Sequence, residues 1–545
     1  MKPNEFALQQ VLIYAALFIT LFTTPLTSFD PFNVPRFFWL TIFGLIAMFL
    51  IYSYRKLLVK RSNRFLFIWG LLFILWSTIS LFKSGTGITQ GFFGIDGRHT
   101  GFMTYVSLTA ILLLSASVAN SNFIMPLLKT LLACGLISIF YGIVQSWGLD
   151  PFDWVNPYSP VFGLFGNPNF LSAFMGISAT VAFTFSISVI QYKLKLFNLI
   201  YVILSIYVIY KSNSQQGYLV FLAGTSTVLY LRIKSRTKLR KFSKIYLLFW
   251  FLGTSIVTLD IFNKVPWTSI LYKESVSFRG DFWRAAYQMT KDNALFGVGF
   301  DGYSDNYRRY RDLVAVSRSD IETPIDSAHN VFLDMSSSGG LLMILLYLVL
   351  IFFVIRSALN VIRRSKNFNV GFAATFGAWT AYMSQSLISI NNITLAFWGW
   401  IISGAIIGYD VNFGNSTNEI KVRRNNRLSL SISVGLISGA VIAFPLYLAD
   451  TRFRSEVAKG NVEGITSVAY QWPKSATRMN YVSQVLRTGG FELEALKVAK
   501  DAFRVNDSNY EVLKEIYLNQ KASEFERNQV LEKMKILDPL NPNLK

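Results

Sequence analysis

The sequence predicts an all-α fold: a polytopic membrane protein of about 13 transmembrane helices, with a large extracytoplasmic loop and a C-terminal soluble helical-repeat domain. Three observations carry this. Apolar runs near the ~20 residues needed to cross a ~30 Å hydrocarbon layer recur along the chain. Basic residues gather just beyond those runs, as in YRKLLVKRSNR, RIKSRTKLRKFSK and KVRRNNR. After Asp450 the composition turns soluble and short helical periods replace the long apolar ones. With 52% hydrophobic, 16% aromatic and only 15% charged residues, a chain of 545 is too apolar for one water-soluble core.

In order, the spans are expected at about 9–28, 36–53, 65–82, 101–119, 123–147, 168–190, 196–210, 217–232, 245–262, 330–357, 370–390, 393–410 and 428–448. The first follows MKPNEF with no small-residue cleavage site and is expected to be retained. With Lys2 inside, Arg55 to Arg64, Lys193 with Lys195, Arg232 to Lys244, Arg356 to Lys366 and Lys421 to Arg427 all fall in the cytoplasm. The opposite side receives GFFGIDGRHTG, GLDPFDWVNPYSPVFGLFGNPNF, YKSNSQQG, the stretch Asn263 to Ala328 and, for an odd count, the tail. Losing one short span, 196–210 or 393–410, would reverse the tail's side. The expected units are N-terminal helices 1–262, a large extracytoplasmic loop 263–328, C-terminal helices 329–448 and an extracytoplasmic helical domain 449–545.

Several function classes drop out. The net charge of +21 is split among topogenic loops, so no nucleic-acid partner is expected. The single cysteine, Cys134, excludes an intrachain disulfide. No Walker motif, zinc-spaced cluster or adjacent acid pair of the DxD kind is present, so neither cofactor nor metal is expected. Asp301 with Asp305, or Asp320 with Glu322, could hold a cation, yet acids in a loop whose nine basic residues match nine acidic ones are ordinarily solvated.

The residues that carry chemistry lie on the outer side. SAHNVFLDMSSSGGLLMILLYL holds His329, one of only two histidines, and Asn330, directly ahead of an apolar span. A helix beginning near His329 puts Leu333, Ser336 and Gly340 on one face, small enough for a second helix to approach closely. Asp326 would cap that helix and bias the imidazole. The plain alternative is a polar helix-end anchor.

In FRGDFWRAAYQMTKDNALFGVGFDGY, helical spacing places Arg279, Trp283, Ala286, Tyr287 and Thr290 on one face, with Arg284 pointing elsewhere. A guanidinium flanked by aromatics near a membrane surface suits a phosphate; pairing with Asp281 is the alternative. GIDGRHTG contributes Arg98 and His99. FGNPNFLSAF contributes Asn167, Pro168 and Asn169, where Asn169 as a helix cap is the plainer reading.

These motifs in this order, GIDGRHTG, FGNPNFLSAF, SQQG, the R-x3-W-R…LFGVG run and AHNVFLDMSSSGG, resemble the O-antigen ligase and polymerase superfamily, which transfers glycans from polyprenyl diphosphate carriers in bacterial membranes. The resemblance implies His329 as catalytic histidine, Arg279 as the loop's catalytic arginine and Arg98 as a binding arginine. His99, Asn167, Asn169, Trp283, Arg284 and Asn330 complete the candidate substrate-binding set. Where the family commonly has Ser-Arg-Gly, this chain has Ser214, Gln215, Gln216 and Gly217, leaving Lys211 as the nearest replacement.

The implied reaction is attack of an acceptor hydroxyl on a lipid-diphosphate-linked sugar in the bacterial plasma membrane, requiring no metal or nucleotide. His329 would be the general base and the arginines would stabilise the leaving diphosphate. The acceptor could be a lipid, a glycan or a protein, giving ligase, polymerase or protein-glycosylating variants. A lipid-linked glycan transporter and a non-catalytic scaffold are readings from other classes. The tail, through AL-x2-A-x2-AF and LDPLNP, resembles tetratricopeptide-like hairpins, with a plain bundle as alternative; such repeats would offer a protein partner a surface.

Overall fold

The computed structural model describes residues 3–61, 63–154, 159–261, 274–318, 321–413 and 426–544. Every apolar segment expected from hydropathy is a helix. The first ten helices are α1 (Pro3–Leu21), α2 (Asn33–Arg61), α3 (Arg64–Lys83), a short α4 (Ile88–Phe93), α5 (Phe102–Val118), α6 (Ser121–Ser146), α7 (Pro168–Ser186), α8 (Tyr192–Lys211), α9 (Gln216–Ser235) and α10 (Ser243–Ile261). The large loop carries α11 (Glu274–Asp292), α12 (Tyr303–Tyr310) and α13 (Leu313–Arg318). Then come α14 (Val331–Arg364), α15 (Val370–Ser386), α16 (Ile393–Val411) and α17 (Asn426–Lys459). Among the described residues, eight helices are long and apolar enough to cross a membrane, and α1 and α5 are shorter apolar helices.

Asparagine opens many of these helices. Asn63, Asn120, Asn167, Asn330, Asn369 and Asn392 each accept a hydrogen bond from an amide of the following first turn. Those amides have no partner within their own helix, and a short side-chain carbonyl satisfies them where the chain leaves water. The helices that are apolar all round, α5 and α16, lie at the centre, buried along nearly their whole lengths. Gly404 and Gly408, one turn apart on α16, let it approach the backbone of α5: a Cβ there would meet the carbonyls of Leu112 and Ala116.

α17 runs unbroken from the apolar bundle past residue 448 to Lys459, so no linker separates tail from membrane helices. The tail continues as α18 (Val462–Ala469), α19 (Ala476–Thr488), α20 (Glu492–Val505), α21 (Tyr510–Leu518) and α22 (Glu524–Leu537), successive helices packed on one another around their own apolar core. It docks on the large loop. Arg311 makes a bidentate pair with buried Asp538 at 2.7 and 2.8 Å, Arg308 reaches Glu511 at 3.0 Å and lies 4.0 Å above the Tyr510 ring, and Lys514 pairs with Glu322 at 2.6 Å. Asn506 donates to Asp305 (2.9 Å) and Ser475 to Asp96 of the 94–100 loop (2.5 Å). The tail, the large loop and the 94–100 loop therefore share one face of the bundle.

Candidate functional site

α14 does not begin at His329. The cap is Asn330, which accepts from Phe332 and Leu333 amides at 3.0 and 3.2 Å, and Asp326 plays no capping part. His329 precedes the cap with φ of 51°, a left-handed conformation unusual for a residue with a side chain. Asp334 accepts from the Ala328 amide at 2.8 Å and closes the turn that holds this conformation. Such backbone strain, fixed by bonds on both sides, is typical of residues placed for a purpose.

The serine and glycine run after His329 also differs from expectation. It meets other helices, Trp76 of α3 donating to the Gly339 carbonyl at 2.9 Å, but it also receives the large loop's own Ala294–Gly299 turn. α14 breaks at Gly340, where φ is 76°, and the loop completes the interrupted ladder. Val298 and Gly299 amides donate to the Ser337 and Ser338 carbonyls at 2.7 and 3.0 Å, while the Leu341 amide donates to Ala294 at 2.8 Å. A Cβ at Gly340 would fall 2.1 Å from the Leu295 oxygen, and one at Gly297 would fall 2.4 Å from Ser338. Each glycine is there because the other backbone is that close.

The seam brings α11 against the start of α14. Phe282 lies with its ring 5.5 Å from the His329 imidazole, and Thr290 shares a hydrogen bond with Ser336 (3.0 Å). The face of α11 turned inward comprises Phe282, Ala285, Ala286, Met289 and Thr290; Tyr287, expected on that face, is exposed. Trp283 packs beside the apolar cluster formed by Phe282, Met289, Tyr303 and Ala328. Arg279, one turn earlier, is partly buried. Among the described residues it forms neither hydrogen bond nor ion pair. Burial lowers its pKa to about 10, which leaves it charged at neutral pH.

Arg98 arrives from the other side. Its Nη1 donates to the Asp326 carbonyl at 2.7 Å and lies 3.5 Å from that residue's carboxylate. Burial opposes its charge, but Asp326, Asp301 and Asp334 raise its pKa. The turn presenting Arg98 is latched by Asp301, whose carboxylate accepts from the Ile95 and Thr100 amides (3.0 Å each) and the Thr100 hydroxyl (2.6 Å). Asp301 is thus a latch and not the cation ligand considered from sequence. Asp305 accepts from Gln90 and Asn506, and Glu322 pairs with Lys514, so both are engaged; Asp320 lies outside the described residues. Among the described residues no cluster of three or more metal-ligating side chains occurs.

These neighbours set the imidazole's chemistry. Burial holds the His329 pKa below its ordinary value; Asp326 pulls it up, and the charges of Arg279 and Arg98 push it down. At neutral pH His329 is uncharged and able to accept a proton. Both guanidinium groups act on the one imidazole, and the half-exposed carboxylate of Asp326 opposes them there.

Other candidate residues lie elsewhere. His99 turns away from its neighbour Arg98, packing its ring 5.8 Å from Phe37. Arg284 is exposed and paired with Asp281 and Asp312, both at 2.6 Å, so it serves as a surface brace and does not join the pocket. Asn167 caps α7, correcting the assignment of that task to Asn169. Asn169 accepts from Ser214 at 2.7 Å, tying α7 to the turn before α9. The Gln216 side chain, where a family arginine was expected nearby, is buried without a hydrogen bond among the described residues; Lys211 lies near the rings of Tyr207 and Tyr210. Arg36, which drew no notice among the apolar residues of NVPRFFWL, is fully buried, bonds the Leu164 carbonyl and lies 5.2 Å from the Phe165 ring. Only its burial, invisible in sequence, marks it.

With this geometry in hand, a comparison with protein families matches residues 200–348 to the Wzy_C family, described as O-antigen ligase. The matched stretch runs from α8 into α14 and includes Arg279 and His329, but neither Arg98 nor the tail. No curated protein matches the chain. The match supports a relation to the O-antigen ligase superfamily, a family whose role is membrane glycosyltransferase-like.

Proposed function

We propose that the chain transfers a glycan from a polyprenyl diphosphate to an acceptor hydroxyl on the extracytoplasmic face of a bacterial membrane, in the manner of an O-antigen ligase. The observation that carries this reading is the meeting of a neutral His329 with Arg279, a cation without a counter-ion among the described residues. A buried or half-buried charge is ordinarily paired. One that is not is ready for an anion from outside, and a lipid-borne diphosphate has the charge and the position.

In the proposed reaction His329 takes the proton from the acceptor hydroxyl as the new C–O bond forms at the anomeric carbon. The bond to the diphosphate oxygen breaks, and Arg279 and Arg98 receive its growing charge. General-base assistance contributes about 10²–10⁴-fold. Preorganised cations in a site shielded from water add a comparable factor. A single displacement inverts the anomeric centre. Bound diphosphate also offsets the two charges that depress the imidazole, so His329 becomes a stronger base once the donor is seated.

With thirteen crossings and the N-terminus in the cytoplasm, the large loop and the tail would both lie outside; the contacts that join loop, 94–100 turn and tail support their lying on one side. The tail's hairpins fit a tetratricopeptide-like assignment, and their engagement with α12 favours a buttress for the site over a free arm for a protein partner. Polymerisation of repeat units or transfer to protein would use the same chemistry. The test is transfer in liposomes from a synthetic polyprenyl-diphosphate oligosaccharide. His329→Ala is expected to insert and fold normally and to lose at least about 10²-fold in rate; a near-normal rate would remove the general base and the proposal with it.

A further inference from the structure

A second cavity, of about 240 Å³, lies where the turn after α1, the 94–100 loop, α17 and the tail meet. Neither His329 nor Arg279 lines it. Its wall includes Phe29, Asp96, His99, Asp450, Arg478 and Tyr481. Two of these carry unmet polar atoms. His99 is 1% exposed and its Nδ1 has no hydrogen-bond partner among the described residues; Arg478 is 5% exposed, spends Nη2 on the Gln471 and Pro473 carbonyls, and leaves Nε without one. Both atoms are closed to water and lie behind the cavity's surface; the polar groups an occupant reaches are the partly exposed carboxylates of Asp30, Asp96 and Asp450.

The rest of the wall narrows its chemistry. Phe29 lies 4.7 Å from Phe453 and 5.9 Å from Tyr481, ring to ring, and both Phe29 and Tyr481 are exposed, forming an apolar platform. Three carboxylates, Asp30, Asp96 and Asp450, outnumber the one guanidinium of Arg478, which disfavours a phosphate. The volume falls below the ~300–1,000 Å³ of pockets for drug-sized ligands, enough for one ring. An adjoining recess shares Asp96 and runs past Gln90, Lys474 and Asn506, extending a polar path along the junction.

We propose that this cavity binds one neutral sugar ring of a glycan, its hydroxyls meeting the carboxylates of Asp30, Asp96 and Asp450 and its apolar face stacking on Phe29 and Tyr481. Docking of the tail then builds a sugar subsite distinct from the diphosphate pocket. Binding itself does not depend on the transferase reading; only the assignment of the sugar to donor or acceptor does.

Saturation-transfer NMR on the full-length His329→Ala protein in nanodiscs, with glucose, galactose, N-acetylglucosamine and rhamnose as probes, tests this apart from catalysis. At least one sugar is expected to receive magnetisation. Tyr481→Ala should weaken its binding about fivefold, the loss of one aromatic contact, and Asp96→Ala should weaken it by a similar factor through the loss of a hydroxyl acceptor, with unfolding temperatures checking that both variants fold. No sugar signal, a signal indifferent to both variants, or a lipid chain recovered from the cavity overturns the inference. In the protein with His329 intact, Tyr481→Ala raising KM for the acceptor assigns the subsite to that glycan, and raising KM for the donor assigns it to the carrier-linked one; an unchanged KM for both overturns it. Sugar binding in a protein that never transfers would leave this inference standing and the transferase reading fallen.

Discussion

Arg279 and Arg311 belong to the same loop, whose charges cancel, and the fold treats them in opposite ways. Arg311 is buried against Asp538 with its guanidinium doubly bonded, and Arg308 beside it is equally engaged. Arg279 has burial enough to lower its pKa, an imidazole nearby and no carboxylate among the described residues. The difference teaches that residue type and local charge balance do not separate a structural cation from a functional one. The position of the counter-ion does: Arg311's sits in the chain's own tail, whereas that proposed for Arg279 travels on a lipid.

The sharpest way to break this contrast is to remove each cation in turn. Arg279→Ala is expected to cut transfer by about 10²–10³-fold, raising the KM for the donor more than that for the acceptor, while the unfolding temperature stays put. Steady-state kinetics over both substrates would read this, and an equal effect on the two would break it. Arg311→Ala should instead cost about 3 kcal/mol, because Asp538 loses its main partner in a buried setting. Thermal unfolding and limited proteolysis of the tail would register the loss. Replacing the pair together, Arg311→Met with Asp538→Leu, should recover most of it.

A smaller effect concerns pH. Because burial and two cations keep His329 neutral, kcat/KM should hold through neutrality and fall on the acid side only well below the usual histidine value near ~6.5. Donor binding neutralises those cations and raises the pKa, so the acid limb of kcat should lie at higher pH than that of kcat/KM. Coincident limbs would show that the arginines do not meet the diphosphate. The smallest effect is expected from Arg284→Ala. The half-exposed guanidinium pairs with buried Asp281 and exposed Asp312, so stability should fall less than on removal of Arg311, and transfer should be unaffected.

Much of the scaffold was legible because a membrane helix needs little more than enough consecutive apolar residues, and each such run is a helix. His329 stood out as one of two histidines and Arg279 as an arginine among aromatics, and their roles remain as proposed. What escaped depends on partners distant in sequence. Nothing in SSSGG announces that its carbonyls will be met by LFGVG some forty residues earlier. Asp301 looks like any solvated loop acid until the 94–100 turn folds onto it. Adjacent in sequence, Arg98 and His99 separate because the latter adopts φ of 54°, which directs them into different cavities. The soluble tail read as an open surface, since the loop that grips it lies two hundred residues away.

The backbone seam at Gly340 has a mechanical consequence. Three main-chain bonds stitch the Ala294–Gly299 segment into the interrupted ladder of α14, each worth about 1 kcal/mol. That edge cannot swing open as a flap without tearing the helix beside it. On the proposed reading, the lipid carrier would have to reach the site past another edge than this one.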